Sequence, residues 1–256
     1  MDLKKVDVRG VSIADVTLDE AAQYIEERLA LGETTAVYTP NSEIVQKCIG
    51  DEEYRGIINS AELVIPDGIG VVKASKILGD PVREKVAGID LGYKVFEIAE
   101  KEGYPIYFFG GSDSTRSESG RDIAVVAAEK LKEKYPLLNI VAHRHGYYAK
   151  NGEENEETIR HINESGAKIL FVCLGFPTQE YWIHENRSKL PNVKLYMALG
   201  GSLDGYSGAI KRAPKIFIRL GLEWFYRLLR QPTRIIRMMS LPKFYFGTWI
   251  YKFKRK

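Results

Sequence analysis

Short apolar runs alternate along most of the chain with longer segments in which apolar residues recur every three or four positions. The short runs are typical of buried strands, and the longer pattern is typical of amphipathic helices. Their alternation predicts an α/β fold, a Rossmann-like and mostly parallel sheet with helices on both faces. The predicted strands are Thr35–Tyr38, Glu62–Ile65, Pro105–Phe109, Asn139–His143, Lys168–Leu174 and Lys194–Leu199.

Helix signals fill the intervals between these strands. Thr17 and Glu20 have the spacing of a capping box, which predicts a helix to about Leu31. We expect one α/β catalytic body over residues 1–209. The other predicted helices are Ser42–Ile49, Asp51–Ser60, Ile69–Leu78, Ile89–Lys101, Gly120–Tyr135, Glu154–Ser165 and Thr178–Ser188.

The end of the chain differs from this body in charge. Residues 211–256 hold 13 of the 37 Lys and Arg residues beside one acid, Glu223, whereas the whole chain is only +3. They also contain 10 of the aromatic residues. A basic face is usually just solvated, but scarce acids and interleaved aromatics favour an anionic membrane surface. We expect residues 210–256 to form a helical appendage that associates with the membrane.

The expected cellular location of the protein depends on the absence of a signal peptide and of a membrane-spanning segment in the sequence. The N-terminus is charged, and no uncharged stretch approaches the roughly 20 residues that a membrane span requires. Cys48 and Cys173 have no metal-ligand spacing and are predicted to be buried thiols. We therefore expect a cytoplasmic protein, peripheral on the inner face of the cell membrane.

Candidate chemistry lies in the loops that follow the predicted strands, because open α/β sheets bind ligands beyond the carboxyl ends of their strands. Each of five such loops contains Gly or Pro with small polar or acidic residues, and we expect them to line one rim. These loops are Thr39–Asn41, Pro66–Gly70, Gly110–Ser112, Gly175–Glu180 and Gly200–Ser202.

Asp67 follows a buried strand and precedes a glycine turn. A carboxylate in this position can accept a proton from a hydroxyl group, or it can cap the helix that begins near Ile69. Thr39 and Asn41 could orient that hydroxyl, or they could belong to a proline-containing turn. Both alternatives stay open at the level of sequence.

The remaining loops offer groups for a nucleotide. Gly110 and Gly111 could bring peptide N–H groups to a phosphate, although glycine pairs also form plain turns. The amide of Gln179 suits a nucleobase or a sugar amide, and Glu180 has the place of an ordinary first-turn acid. The four histidines show no metal-ligand grouping and no Asp-x-Asp occurs, so we expect no metal and no cofactor.

In this order, the motifs resemble the WecG/TagA/CpsF glycosyltransferase family over about residues 8–237. Each motif is short, but their succession makes the match specific. The motifs are Thr39–Asn41, Asp67–Gly70, Arg83 with Gly88–Leu91, Gly110–Gly111, Gly175–Glu180, Gly200–Asp204, Ser207–Gly208, Arg212–Pro214 and Gly221–Trp224 with Tyr226–Leu228.

The resemblance implies an inverting, metal-independent transfer of N-acetylmannosamine from UDP-ManNAc to undecaprenyl-diphosphate-GlcNAc, in the synthesis of the wall teichoic acid linkage unit. It implies that Asp67 is the catalytic base and that Thr39 supports it. It also implies that the appendage closes over the active site. The expected substrate contacts are Asn41, Arg83, Gly88, Asp90, Gly110, Gly111, Gly175, Phe176, Gln179, Gly200 and Gly201, with Arg212, Arg219 and Arg227 of the appendage gripping diphosphate.

The expected partners are a UDP-sugar donor, a lipid-linked GlcNAc diphosphate acceptor and an anionic membrane surface, but not nucleic acid. The resemblance also implies a homo-oligomer in solution that the membrane converts to an active monomer. Three alternatives remain. One is the same fold with another UDP-sugar donor, such as ManNAc uronic acid or glucose. A second is a non-catalytic, membrane-bound nucleotide-binding protein. A third is a nucleic-acid-binding protein that uses the basic, aromatic end of the chain.

Overall fold

The computed structural model describes residues 3–210, 213–214, 216–217, 223–230 and 240–254. The strands are β1 Lys5–Val8, β2 Val11–Ala14, β3 Thr35–Tyr38, β4 Leu63–Val64, β5 Ile106–Gly110, β6 Ile140–Arg144, β7 Ile169–Cys173 and β8 Leu195–Ala198. The helices are α1 Leu18–Ala30, α2 Ser42–Gly50, α3 Glu52–Asn59, α4 Ile69–Leu78, α5 Gly88–Glu102, α6 Ile123–Lys134, α7 Glu153–Glu164, α8 Thr178–Asn186, α9 Ser202–Tyr206, α10 Glu223–Arg230 and α11 Ser240–Lys254.

Six strands form the main sheet in the order β4-β3-β8-β7-β5-β6, and every neighbouring pair is parallel. The predicted α/β fold with a parallel sheet is therefore confirmed. Because all six strands run the same way, their carboxyl ends meet at one edge, where the predicted loops also lie.

Side chains alternate between the two faces of this sheet, and each face carries its own apolar core. Tyr107 and Tyr196 belong to the core that α2, α3, α4, α7 and α8 cover. Phe108 and Phe171 belong to the opposite core, which α1, α5, α6 and α9 cover. The ring of Phe96 stacks on Phe171 at 4.8 Å between centroids. Helices thus protect both faces, as the near-continuous apolar strands require.

The sequence analysis missed an antiparallel hairpin, β1–β2, which packs its apolar residues onto the core beside α4. Its two-residue turn is Arg9–Gly10, with φ values of 57° and 89°. Positive φ at both positions matches the twist of a tight hairpin, and Gly10 adopts it without strain. Charged Lys5 and Asp7 alternate with buried Val6 and Val8, so the apolar signal was too short to stand out.

The C-terminal helix α11 packs against α2 and α4. Phe244 and Thr248 are fully buried there, and the Thr248 hydroxyl donates a hydrogen bond to the carbonyl of Phe244 at 2.7 Å. From the hairpin turn, the Arg9 guanidinium lies over the ring of Tyr251 at 5.4 Å. Pro242 lies in the first turn, a position that tolerates the missing N–H. This helix is therefore part of the packed structure on one sheet face.

The opposite side of α11 is apolar and exposed. Its four large side chains recur at helical spacing i, i+3, i+4 and i+7, so they form one stripe. In the rest of the article, the exposed stripe means these four residues: Phe246, Trp249, Ile250 and Phe253, with 72, 46, 58 and 68% of their surface accessible. Among the described residues, none of the helices combines the length and the apolar character that crossing a bilayer demands.

Both cysteines are buried and unbridged, as predicted. Cys48 lies in α2 and Cys173 ends β7. Burial raises the pKa of both thiols, that of Cys48 to about 12. A thiol that is buried and protonated is chemically inert, so these side chains serve packing.

Candidate active site

The loops after β3 and β4 meet at the carboxyl edge of the sheet. A Cβ placed on Gly68 would lie 3.7 Å from the Cβ of Asn41, and one placed on Gly88 would lie 3.1 Å from Cγ2 of Thr39. Glycine at position 88 therefore allows the start of α5 to approach Thr39. The structure thus brings Thr39, Asn41 and the loop of Asp67 together, as the sequence analysis expected of one rim, and it adds Gly88 to them.

Thr39 and Asn41 also hold the local structure in place. The buried Thr39 hydroxyl donates a hydrogen bond to the Ala198 carbonyl at 3.0 Å, which links the loop to β8. Asn41 is the N-cap of α2, because its Oδ1 accepts hydrogen bonds from the N–H groups of Glu43 and Ile44. A hydroxyl oxygen can accept a hydrogen bond while it donates one, so Thr39 can still contact a substrate.

Asp67 is partly exposed and directly precedes Gly68, the N-cap residue of α4. Its backbone N–H donates to the Ile65 carbonyl at 2.9 Å, which turns the chain sharply after β4. Asp67 therefore lies next to the start of α4 and has part of its surface accessible. An accessible carboxylate can accept a proton from a bound hydroxyl group.

Helix α11 reaches this part of the rim. A Cβ on Gly70 would overlap the hydroxyl of Ser42 and would lie 3.7 Å from the hydroxyl oxygen of Tyr245. Gly70 is therefore the point where α2, α4 and α11 meet, three residues after Asp67. Burial raises the pKa of Tyr245 above its ordinary value.

A second part of the rim is a cavity of about 640 Å³ beyond the carboxyl ends of β5, β7 and β8. Four predicted glycines line it, together with residues that the sequence analysis did not select. The glycines are Gly111, Gly175, Gly200 and Gly201, and the additional residues that matter below are Arg116, Tyr147, Tyr148 and Lys150. Asp204, from the motif Gly200–Asp204, also lines the cavity.

Arg116 and Lys150 give this cavity positive charge. The Arg116 guanidinium lies over the ring of Tyr147 at 4.4 Å and pairs with Asp113. The Lys150 ammonium lies over the ring of Tyr148 at 4.5 Å and donates hydrogen bonds to the carbonyls of Gly146 and Tyr148. Burial lowers the pKa of Lys150. These cations belong to the α/β body, whereas the sequence analysis expected arginines of the appendage to grip diphosphate.

Lys150 could have been predicted from the sequence as a residue of the rim. Rim residues were expected after five of the six predicted strands, and the segment after the predicted strand Asn139–His143 was not among them. This segment carries Tyr147, Tyr148 and Lys150 into the cavity. The rule of reading beyond every parallel strand would have found it.

Gly110 and Gly111 allow two strands to approach each other closely. A Cβ on Gly110, whose φ is 129°, would collide with the backbone of Cys173. The Gly111 N–H donates to the Cys173 carbonyl at 3.3 Å. Their contact with a phosphate stays a prediction, and Gly111 would have to exchange or share this hydrogen bond to make it.

Gln179 and Glu180 are buried in the first turn of α8. The Gly200 N–H donates to Oε1 of Gln179 at 2.8 Å, and Nε2 of Gln179 donates to Glu180 at 2.8 Å. The hydroxyl of Tyr54 donates to the same carboxyl group at 3.0 Å. Glu180 is therefore not the ordinary surface acid that its sequence position suggested, and burial raises its pKa.

Other predicted contacts lie elsewhere. Arg83 donates to Glu20 and to the Asp15 carbonyl, both at 2.6 Å, and it is not part of the cavity lining. Asp90 lies in the first turn of α5, and Phe176 packs against the core on the α8 side. Their substrate contacts stay predictions. Three appendage residues are not placed: Arg212 and Arg219 lie outside the described residues, and so does the side chain of Arg227.

In the part of the chain that the structure describes, no three His, Cys, Asp or Glu side chains come together in a group that could hold a metal ion. The metal independence of the reaction is not tested by this observation and stays a prediction.

Comparison with known proteins identifies the family of this chain. A family model described as the Glycosyl transferase WecG/TagA/CpsF family matches residues 6–256. The chain belongs to this family. The resemblance inferred from the short motifs is thus confirmed, and the family match extends through the described helix α11.

Several curated relatives of this family member share one name, N-acetylglucosaminyldiphosphoundecaprenol N-acetyl-beta-D-mannosaminyltransferase. One from Staphylococcus aureus MRSA252 is 35% identical over 256 residues, which cover 98% of this chain and 94% of the relative. One from Bacillus spizizenii W23 is 36% identical over 208 residues, covering 81% and 76%. One from Bacillus subtilis 168 is 33% identical over 221 residues, covering 86% and 80%.

Proposed function

We propose that this protein is an inverting, metal-independent glycosyltransferase that moves N-acetylmannosamine from UDP-ManNAc to undecaprenyl-diphosphate-GlcNAc, in wall teichoic acid linkage-unit synthesis. The main support is the near full-length similarity to a Staphylococcus aureus protein named for N-acetylmannosaminyl transfer to this acceptor. The two-part rim adds physical support, because the Asp67 loop and the cavity lined by Arg116 and Lys150 both lie beyond the carboxyl ends of strands in one parallel sheet.

In the proposed mechanism, Asp67 removes the proton from the attacking hydroxyl of the acceptor GlcNAc. That oxygen displaces UDP from the anomeric carbon in one step, which inverts its configuration. Thr39, whose hydroxyl is anchored to Ala198, orients the acceptor beside Asp67. A well-placed general base typically accelerates such a step by roughly 10²–10⁴-fold.

The donor fits the cavity of about 640 Å³, which lies within the usual range for small-molecule sites. Arg116 and Lys150 supply the charge-assisted hydrogen bonds that a departing diphosphate requires. Tyr147, which is half exposed, offers a ring face for the uracil. The predicted grip of Arg212, Arg219 and Arg227 on diphosphate would add to this charge.

We further propose that residues 210–256 form the membrane-associating appendage and that α11 rests on an anionic lipid surface. The exposed stripe would enter the interface, while Lys243 and Lys254, both exposed, would meet lipid phosphates. Each such lysine contributes about 1 kcal/mol near an anionic surface. Because Tyr245 of the same helix lies near Gly70, a lipid-linked acceptor would reach the rim beside Asp67.

The deciding experiment incubates the full chain with UDP-ManNAc and a short-chain lipid diphosphate-GlcNAc, in the presence of EDTA, and analyses the product by mass spectrometry. We expect one N-acetylhexosamine to be added with inversion at the anomeric carbon. Asp67→Asn keeps the shape of the side chain but removes the base, so it should retain UDP binding and lose most turnover.

Matched reactions with UDP-ManNAc uronic acid and UDP-glucose identify the donor, since faster turnover with either would replace ManNAc in the proposal. The absence of transfer from all three donors, with UDP still bound, would favour the non-catalytic alternative. Near wild-type turnover by Asp67→Asn would remove Asp67 from the mechanism.

A further inference from the structure

Glu180 is a carboxyl group that is fully buried yet lies close to the rim. It accepts hydrogen bonds from the Tyr54 hydroxyl at 3.0 Å and from Nε2 of Gln179 at 2.8 Å. Packing alone gives no reason for a carboxyl group here, because an apolar side chain of similar size avoids the desolvation of a polar one. Its two directed hydrogen bonds are therefore the feature that needs explanation.

The orientation of the Gln179 amide follows from its neighbours. The Gly200 peptide N–H can only donate, so the group 2.8 Å away must be Oε1 of Gln179. Nε2 then faces Glu180, which must accept. Three groups thus form a hydrogen-bond series with one direction, from Gly200 through Gln179 to Glu180. The Tyr54 hydroxyl holds the Glu180 end of this series in place.

This hydrogen-bond series reaches the active site at Gly200. It follows β8, has a φ of 53°, and lines the donor cavity together with Gly201. Strand β8 pairs with β3, and the Thr39 hydroxyl donates to the Ala198 carbonyl, two residues before Gly200. The turn at Gly200 therefore lies between the donor cavity and the loop that carries Thr39.

We propose that Glu180 is a positioning residue for glycosyl transfer: its carboxyl group holds the Gln179 amide, which fixes the Gly200 turn between donor and acceptor. This inference rests on the proposed function. A turn that is fixed before substrates bind keeps the reacting atoms aligned, and a misplacement of about 1 Å can reduce a rate roughly 100-fold.

Two variants test separately whether the length of the Glu180 side chain or its charge matters. Glu180→Gln keeps an oxygen within reach of Nε2 of Gln179, and its own amide can donate to the Tyr54 oxygen. Glu180→Asp keeps the carboxyl group but withdraws it by about 1.5 Å, beyond hydrogen-bond distance from Gln179. Asn186→Ala is the control for buried polar structure, since Asn186 lies in the same helix and bonds to Asn155 and to the Trp182 carbonyl.

Three measurements are made on each full-length variant: kcat with UDP-ManNAc, the Kd of UDP by calorimetry, and the hydrogen-exchange rate of the Gly200 amide. We expect Glu180→Gln to retain at least about a third of kcat. Glu180→Asp should lose about tenfold or more in kcat, with UDP Kd changed less than about threefold and Gly200 exchange accelerated about tenfold. Asn186→Ala should lower the melting temperature but leave kcat and Gly200 exchange unchanged.

Wild-type kcat and Gly200 exchange in Glu180→Asp would overturn the proposal. An equal loss of kcat in a folded Glu180→Gln would also overturn it, because the charge of the side chain and not its length would then matter. This variant decides the question even if Glu180→Asp does not fold. The Gly200 exchange rate requires no turnover. A wild-type protein that transfers no sugar would therefore refute the proposed function, while the exchange rates would still test the positioning.

Discussion

Phe244 and Phe246 provide a matched test of the two sides of α11. They are two positions apart on one helix, but Phe244 is fully buried against the core and Phe246 has 72% of its surface accessible. Replacing either with alanine removes the same ring. The structure predicts opposite consequences, because one ring lies in the protein core and the other belongs to the exposed stripe.

The loss of a buried phenylalanine typically costs about 3–5 kcal/mol in the free energy of unfolding. We expect Phe244→Ala to lie within this range, because the ring is inaccessible and Thr248 packs beside it. Phe246→Ala should change stability by less than about 0.5 kcal/mol. On a bilayer, however, full burial of this ring is worth about 1.5–3 kcal/mol. Its exposed share would be roughly 1–2 kcal/mol, or about 5- to 30-fold in vesicle affinity.

Urea unfolding measures the first quantity, and co-sedimentation with vesicles containing anionic lipid measures the second. Excess DNA in the second assay checks that simple charge attraction does not explain the binding. An unchanged unfolding free energy in Phe244→Ala would refute the docking of α11 on α2 and α4. Unchanged vesicle affinity in Phe246→Ala would refute the contact between the exposed stripe and lipid.

Three further predictions concern the sheet and its rim. Lys150→Met should weaken UDP binding about 10- to 100-fold, the value of a hydrogen bond to a charged group, and an unchanged Kd by calorimetry would contradict this cavity as the donor site. Gly110→Ala should lower the free energy of unfolding in urea by about 2 kcal/mol or more, because the new Cβ would collide with the Cys173 backbone. In the control Gly32→Ala, the new Cβ meets no atom within 4 Å, so the loss should be only about 1 kcal/mol. Equal losses would refute the close approach of the two strands. Glu180 should lower the free energy of unfolding as pH rises above 4.5, because the unfolded chain ionises Glu180 first while burial keeps its folded pKa higher. Other carboxyl groups contribute equally to both proteins, so the difference in unfolding free energy between wild type and Glu180→Gln should change with pH, and identical pH slopes would contradict it.

The parallel sheet and its order of elements could be predicted because buried parallel strands are continuous apolar runs with amphipathic helices between them. Thr35–Tyr38 and Ile69–Leu78 have the predicted bounds. The capping box of Thr17 and Glu20 starts α1 through local chemistry alone. Such signals lie within a few neighbouring residues, so a sequence displays them directly.

Features that depend on distant contacts could not be predicted in this way. Glu180 occupies a position where acids are common on helix surfaces, and only the fold places Tyr54 above it. The buried side of α11 was equally hidden, since Phe244 and Phe246 have the same side chain and differ only in their neighbours. The assembly of Thr39, Asn41 and the Asp67 loop was foreseen because parallel strands bring their carboxyl ends together.

Because both native thiols, Cys48 and Cys173, are buried, they should not react with thiol-specific labels in the folded protein. Because neither reacts readily while the protein is folded, a single cysteine introduced at Trp249 or Phe253 would carry a polarity-sensitive fluorophore without competing modification. Emission from such probes would report how deeply each position lies in a vesicle, and a label at exposed Leu137 would serve as the reference in water.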